Sequence, residues 1–297
     1  MRTKRIKKNI RRNKKKTRKT KKQKGVFGKK MQCHPSNKSG SRSCLSNDQV
    51  NSLKNNWNNN NSDKINSSSN SKEILNQLGE KTSCKNELCV VEKVNPSLKG
   101  VFAPKAPEEW KKDINTWLTN IDINKVMNQY EQTYKCFEFI GPSPIDFDTM
   151  NNGKCVWDEL CNFDLSNHIQ NGKKKIGIIF NTDTHDGDGE HWISLFINIQ
   201  RSMIFFFDSV GSPAPNEVKQ FVDRVIEQGN KLDSPVHFIF DQNHPIEHQY
   251  KNTECGIYSL FFIIHMLEDK INGEYLKTHI LKDKYIEKYR KIFFNVV

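Results

Sequence analysis

From about residue 100 onward, apolar and polar positions fall into short blocks of two kinds. IGIIFNTD (176–183), WISLFINI (192–199), MIFFFDS (203–209) and VHFIFDQ (236–242) are brief apolar runs bounded by turn residues, and each predicts a strand. Asn198 to Ser202 supplies the turn between the middle two. In TWLTNIDINKVMNQYEQTY, the residues Trp117, Leu118, Ile121, Ile123, Val126, Met127 and Tyr130 recur at helical spacing. They predict a leading helix capped by Thr116 or Asn120. NEVKQFVDRVIEQG predicts an amphipathic helix stopped by Gly229. CGIYSLFFIIHMLEDK is apolar on nearly every face, so it predicts a buried helix that begins at Cys255. A last helix is predicted near 281–293. Helices flanking a short run of strands give an α+β class, with a short mixed or antiparallel sheet.

Before residue 100 the texture differs. Residues 1–30 hold 17 of the 47 Lys and Arg and no acid, so the formal charge of +13 belongs to a tail and the remainder is mildly acidic. A like-charge block repels itself and is expected to be disordered; it reads as a solubilising arm, a nucleic-acid contact or a nuclear address. Residues 31–75 are rich in Asn and Ser and are expected to bury little, apart from a short helix in LSNDQVNSLKNNW capped by Ser46 or Asn47. The expected division is therefore a basic tail over 1–30, a low-complexity and divergent region over 31–100, and a packed domain over 101–297.

No run approaches the ~18 apolar residues that span a bilayer, and the charged start lacks the apolar core of a secretory signal, so no membrane partner is expected. The eight cysteines are then expected as reduced thiols. Cys33, Cys44, Cys84 and Cys89 lack the paired C-x-x-C spacing of a zinc site. HPIEH (244–248) matches a metallopeptidase pattern, but Pro245 and the preceding strand remove the helix that pattern requires. DTHDGDGE lacks the full calcium loop. Neither a metal nor a cofactor is expected.

Polar residues that interrupt apolar elements carry the chemistry. His191 heads one predicted strand and Asp208 ends the next, so an antiparallel hairpin places imidazole beside carboxylate at one sheet edge. The carboxylate can then fix the ring's tautomer and stabilise its charged form. Cys255 opens a helix, where unpaired N–H groups and the positive dipole end favour a thiolate and can bind an oxyanion. Gly256 allows another chain close approach. Gln249, in a polar loop, supplies a second donor. The set reads as a thiol nucleophile, its base, the group orienting the base and an oxyanion donor.

These residues, GEHW, then FFFDSVG, then Q-x5-C-G before a buried helix, resemble the superfamily of SUMO-deconjugating proteases and adenovirus protease. The resemblance spans roughly 110–295, and its texture is similar to the polyprotein-processing proteases of poxviruses, asfarviruses and giant viruses. It implies catalytic His191, Asp208, Gln249 and Cys255. It also implies that Trp117 and Trp192 wall a narrow channel admitting a Gly-Gly segment. Two departures stand out: Glu254 replaces the family's usual Asp before the nucleophile, and WLTNIDI is longer than the deconjugases' WLND.

The function so implied is a thiol endopeptidase that matures virion precursors, a late protein of the virion and host cytoplasm. Its partners would be precursor polyproteins or ubiquitin-like conjugates, with nucleic acid on the tail. Deconjugation of SUMO or ubiquitin, and an inactive virion or nucleic-acid-binding protein, are the alternatives. A chymotrypsin-like cysteine protease also runs His, Asp, Cys, but its nucleophile lies between strands, not before a long helix.

Overall fold

The computed structural model describes residues 27, 30–37, 43–66 and 69–297. The charged block 1–30 therefore lies outside the described residues, except for Phe27 and Lys30. Five strands form one mixed sheet in the order in which they occur along the chain: β1 (Phe137–Pro144), β2 (Lys175–Asn181), β3 (Trp192–Asn198), β4 (Met203–Phe207) and β5 (Ile239–Gln242). The central pairs are antiparallel and the two outer pairs are parallel. Strand β1 did not read as a strand because Gly141, Pro142 and Pro144 interrupt it. At the edge of the sheet these residues are tolerated, and its register slips between Ile140 and Ser143.

The main helices are α1 (Asn47–Asn60), α2 (Ser71–Thr82), α3 (Glu87–Val94), α4 (Asn120–Thr133), α5 (Asn216–Asn230) and α6 (Cys255–Leu267). Alternation along β3 sends Ile193, Leu195 and Ile197 to one face, where Val218, Phe221, Val222 and Val225 of α5 cover them. Trp192 and Phe196 go to the other face, against Ile257, Phe261 and Phe262 of α6 and Ile123, Val126 and Met127 of α4. A strand buried on both faces reads as a continuous apolar run, and β3 does. Every residue of α6 is buried, and each fully buried Ile, Leu or Phe contributes roughly 1.5–3 kcal/mol.

Helix α4 begins at Asn120, between the starts that its two predicted caps would give. Thr119, not Thr116 or Asn120, caps it through a reciprocal pair with Asp122. Trp117 and Leu118 consequently lie before the helix, with Leu118 buried and Trp117 43 % exposed.

Two expectations do not hold. Residues 31–75, expected to bury little, share a core with the helix that follows: Val50 and Leu53 of α1, Ile74, Leu75 and Leu78 of α2, and Leu88, Val90 and Val91 of α3 are all buried. Asn and Ser dominate the composition there, and those among the described residues are exposed or half-buried, some at caps such as Ser46 and Asn70. Composition averaged over the segment concealed a few apolar residues at helical spacing. Nor are the cysteines all thiols: Cys33–Cys44, Cys84–Cys89 and Cys155–Cys161 are disulfides, which leaves Cys136 and Cys255 free. Each pair joins residues no more than 11 apart in sequence, brought together by local turns that spacing alone did not reveal.

The N-terminal core is tied to the rest of the chain at Asn295. Its side chain accepts from the Gln32 N–H at 2.7 Å and donates to the Gln32 and Ala103 carbonyls.

Candidate active site

The β3–β4 hairpin sets the first half of the site. Its register pairs Ser194 with Phe207, so His191 just before β3 and Asp208 just after β4 emerge at one end of the sheet. His191 Nε2 donates to Asp208 Oδ1 at 2.7 Å. The remaining ring nitrogen, Nδ1, is left for Cys255, with which the ring also shares a hydrogen bond. Burial by itself would lower the His191 pKa. The hydrogen bonds and charges of Asp208 and Cys255 outweigh that effect and push it up to about 10. The arrangement favours an imidazolium beside the Cys255 sulfur.

Asp208 is fixed by a residue that the sequence reading missed. Asn243, fully buried, accepts from the Asp208 N–H at 2.9 Å and donates to the Asp208 carbonyl at 2.7 Å. It follows β5, whose parallel pairing with β4 sets Gln242 beside Phe206 and so brings Asn243 alongside Asp208. Its signal was faint but present: a polar residue ending an apolar strand, the same pattern that singled out Asp208.

Cys255 is the first residue of α6 and is 3 % exposed. No side chain caps this helix, so its first-turn N–H groups are not consumed by a cap. Glu254 stands at the cap position, yet its carboxylate turns away to Arg290. Arg290 Nε lies 2.8 Å from Glu254 Oε2, and Arg290 Nη2 lies 3.0 Å from Oε1. Both side chains are buried. The same guanidinium donates to the Thr253 carbonyl at 2.8 Å and the Thr116 carbonyl at 3.0 Å, and lies over the Trp110 ring. One buried cation thus joins the turn before Cys255 to the turn before Trp117. The sequence reading placed Arg290 within the last predicted helix and did not single it out.

Gln249 is buried beside this turn. Its backbone N–H and that of His248 both donate to the Ser209 carbonyl at 2.8 Å, and its Oε1 accepts from Ser209 Oγ at 2.8 Å. Its amide nitrogen donates to the Lys251 carbonyl, which leaves a second N–H on the same nitrogen. The residues of HPIEH lie in a loop, not a helix. His244 donates to the Gly211 carbonyl and His248 Nδ1 accepts from the Leu281 N–H, so the two are held apart by different partners.

The close approach foreseen at Gly256 is made by the protein's own walls. A Cβ there would meet Leu118 Cβ and Trp192 Cδ1, each at 3.2 Å. Trp192 is mostly buried, and its indole N–H donates to the Leu118 carbonyl at 3.0 Å. Trp117 and Trp192 both line a cavity of about 550 Å³ that runs out from this point.

The profile of the Ulp1 protease family, C-terminal catalytic domain, matches residues 107–295, which include all of these groups. The chain belongs to the Ulp1 protease family. As a member it is a cysteine peptidase, and protein is the substrate class of its family.

Among relatives, it is 30 % identical over 169 residues to a candidate thiol protease of Acanthamoeba polyphaga mimivirus, covering 57 % of this chain and 52 % of that protein. The match thus spans about half the length of the mimivirus relative. It is 26 % identical over 241 residues to a cysteine protease of African swine fever virus, covering 74 % of this chain and 86 % of the relative. The crystal structure of the African swine fever virus protease superposes with a TM-score of 0.66 at 21 % identity, over 90 % of this chain and 96 % of that one. That extent takes in the N-terminal helices as well as the Ulp1-family region, so both share its fold.

Proposed function

We propose that this chain is a thiol endopeptidase that matures viral structural precursors by cleaving after Gly-Gly-like sites. In this reading His191 takes the proton of Cys255, and the thiolate attacks the scissile carbonyl. Gln249 and the Cys255 backbone N–H bind the tetrahedral oxyanion. His191 then passes its proton to the leaving amine, the acyl group remains as a thioester on Cys255, and water releases it. Asp208 keeps the imidazolium oriented throughout.

The observation that carries the reading is the convergence of His191, Asp208 and Cys255 next to Trp192, which follows His191, packs against Gly256 and lines the cleft with Trp117. Two aromatic walls favour a flat, extended segment, and glycine, without a Cβ, passes between them with least hindrance. Similarity to viral proteases that extends into the N-terminal region supports virion maturation as the setting, and with it a location in the virion and host cytoplasm. The tail over 1–30 is proposed as a nucleic-acid contact on charge alone.

Relatives from other African swine fever virus isolates bear the name SUMO-1 cysteine protease, which keeps deconjugation as the second reading. The deciding experiment incubates the full chain, in parallel, with virion core precursors and with SUMO and ubiquitin conjugates. Cleavage of precursors after Gly-Gly is expected. Release of the modifier alone would replace maturation with deconjugation, and a profile favouring bulky residues just before the scissile bond would remove the channel.

A further inference from the structure

The cavity beyond the two tryptophans is larger than two glycines need. It measures about 550 Å³ and continues from Trp117 and Trp192 to Trp157, beneath the loop that leads into His191. Three indoles give it aromatic walls. His185, Asp188 and Glu190 also line it, and no Lys or Arg does.

The other charges around this loop already have partners, Asp186 accepting from Thr184 Oγ1 at 2.8 Å. Asp183 accepts from the Thr184 and Gly189 N–H groups, each at 2.9 Å. His185 and Asp146 hold each other at 2.6 Å and together add no net charge when both are ionised. Asp188 and Glu190 have no ion pair among the described residues. The loop is therefore built by some of its carboxylates and leaves two facing the cavity. An aromatic wall opposite unpaired carboxylates is suited to a cation, through the ring faces and through charge.

We infer that this cavity is a subsite for a Lys or Arg side chain, third or fourth before the scissile bond. The inference rests on reading the Trp117–Trp192 cleft as the acyl-side approach to Cys255. An extended peptide advances ~3.3 Å per residue, so two glycines span the walls and the next side chains enter the cavity.

The test uses peptide probes that end in an electrophile and alkylate Cys255 of the full chain, read by mass spectrometry. Lysine, arginine, norleucine and glutamate occupy the third and fourth positions in turn, and control probes carry the same lysine two positions further out. Lysine and arginine probes are expected to label roughly three- to thirty-fold faster than the norleucine probe, with glutamate slowest. The advantage should shrink with added salt. It should also fall toward one in Asp188→Asn/Glu190→Gln.

Equal rates for lysine and norleucine would overturn the inference. So would an equal advantage for the displaced lysine, or a ratio unchanged in the double variant. The last two positions are varied separately between Gly-Gly and bulkier pairs. If a bulky pair wins there, the cleft reading fails, while the lysine-to-norleucine ratio is still read on whichever probe labels.

Discussion

The N-terminal helices and the Ulp1-family region are both packed around apolar cores, but they bury polar groups very differently. In the N-terminal core the buried polar side chains among the described residues are Thr82 and Glu87. Each has a local or backbone partner: Thr82 donates to the Leu78 carbonyl, and Glu87 accepts from the Cys44 N–H. Around the candidate site, Asp208, Asn243, Gln249, Glu254 and Arg290 are all nearly inaccessible and are satisfied mainly by residues far away in sequence. Burying such groups is costly unless every partner is in place. The first region spends its interior on stability; the second accepts that cost where it positions a thiol and its base.

This contrast can be broken in measurable ways. The largest effect is expected for Cys255→Ala, which should lower kcat on the order of 10⁶-fold while leaving the circular dichroism spectrum unchanged. Turnover that survives would move the chemistry elsewhere.

Arg290→Met should come next, because it strands the buried Glu254 carboxylate at a cost of ~3–5 kcal/mol in urea denaturation. Adding Glu254→Gln removes the stranded charge and should restore most of that stability. It should not restore kcat, because the Thr116 and Thr253 carbonyls are no longer held by one fork. Full recovery of kcat in the double variant would make the pair purely structural.

The pH dependence is more gradual. Folding raises the His191 pKa from its ordinary 6.5 to about 10. Its contribution to stability is therefore fully present below about 6.5 and is lost as pH rises through about 10. An alkaline fall in kcat/KM is expected in the same range, as the proton needed by the leaving amine is lost. Asp208→Asn should draw that limb downward, and a limb that stays in place would detach Asp208 from the base.

The smallest effect belongs to the other region. Ser46 caps α1 with Gln49 in a reciprocal pair, so Ser46→Ala should cost ~1 kcal/mol of stability with kcat/KM unchanged. A change in kcat/KM would show that the N-terminal helices act on the chemistry and would erase the distinction drawn here.

Much of the site was legible because chemistry of this kind interrupts local patterns. His191 and Asp208 stand out at the ends of apolar strands, Cys255 at the start of an apolar helix, and Gln249 in the polar loop before it. The central strands followed from short apolar runs bounded by turn residues, and α5 from its amphipathic period. Strand β1 did not, because Gly141, Pro142 and Pro144 speak against a strand anywhere but at an edge, and edge position is not written in the segment itself.

What the sequence determined by itself is therefore what depends on neighbours along the chain: element type, the facing of side chains, and the order of chemical groups at element ends. The tertiary structure alone decided which distant residues meet. Asn243 and Asp208 are 35 residues apart, and Arg290 reaches 36 residues back to Glu254. Three cysteine pairs formed where turns closed, and a sparse set of apolar residues joined into the N-terminal core. The physical reason is common to all of these. A local period specifies which face of an element is apolar, whereas a buried polar partner or a core neighbour is set by sheet order and helix docking, which bring together positions that no local pattern relates.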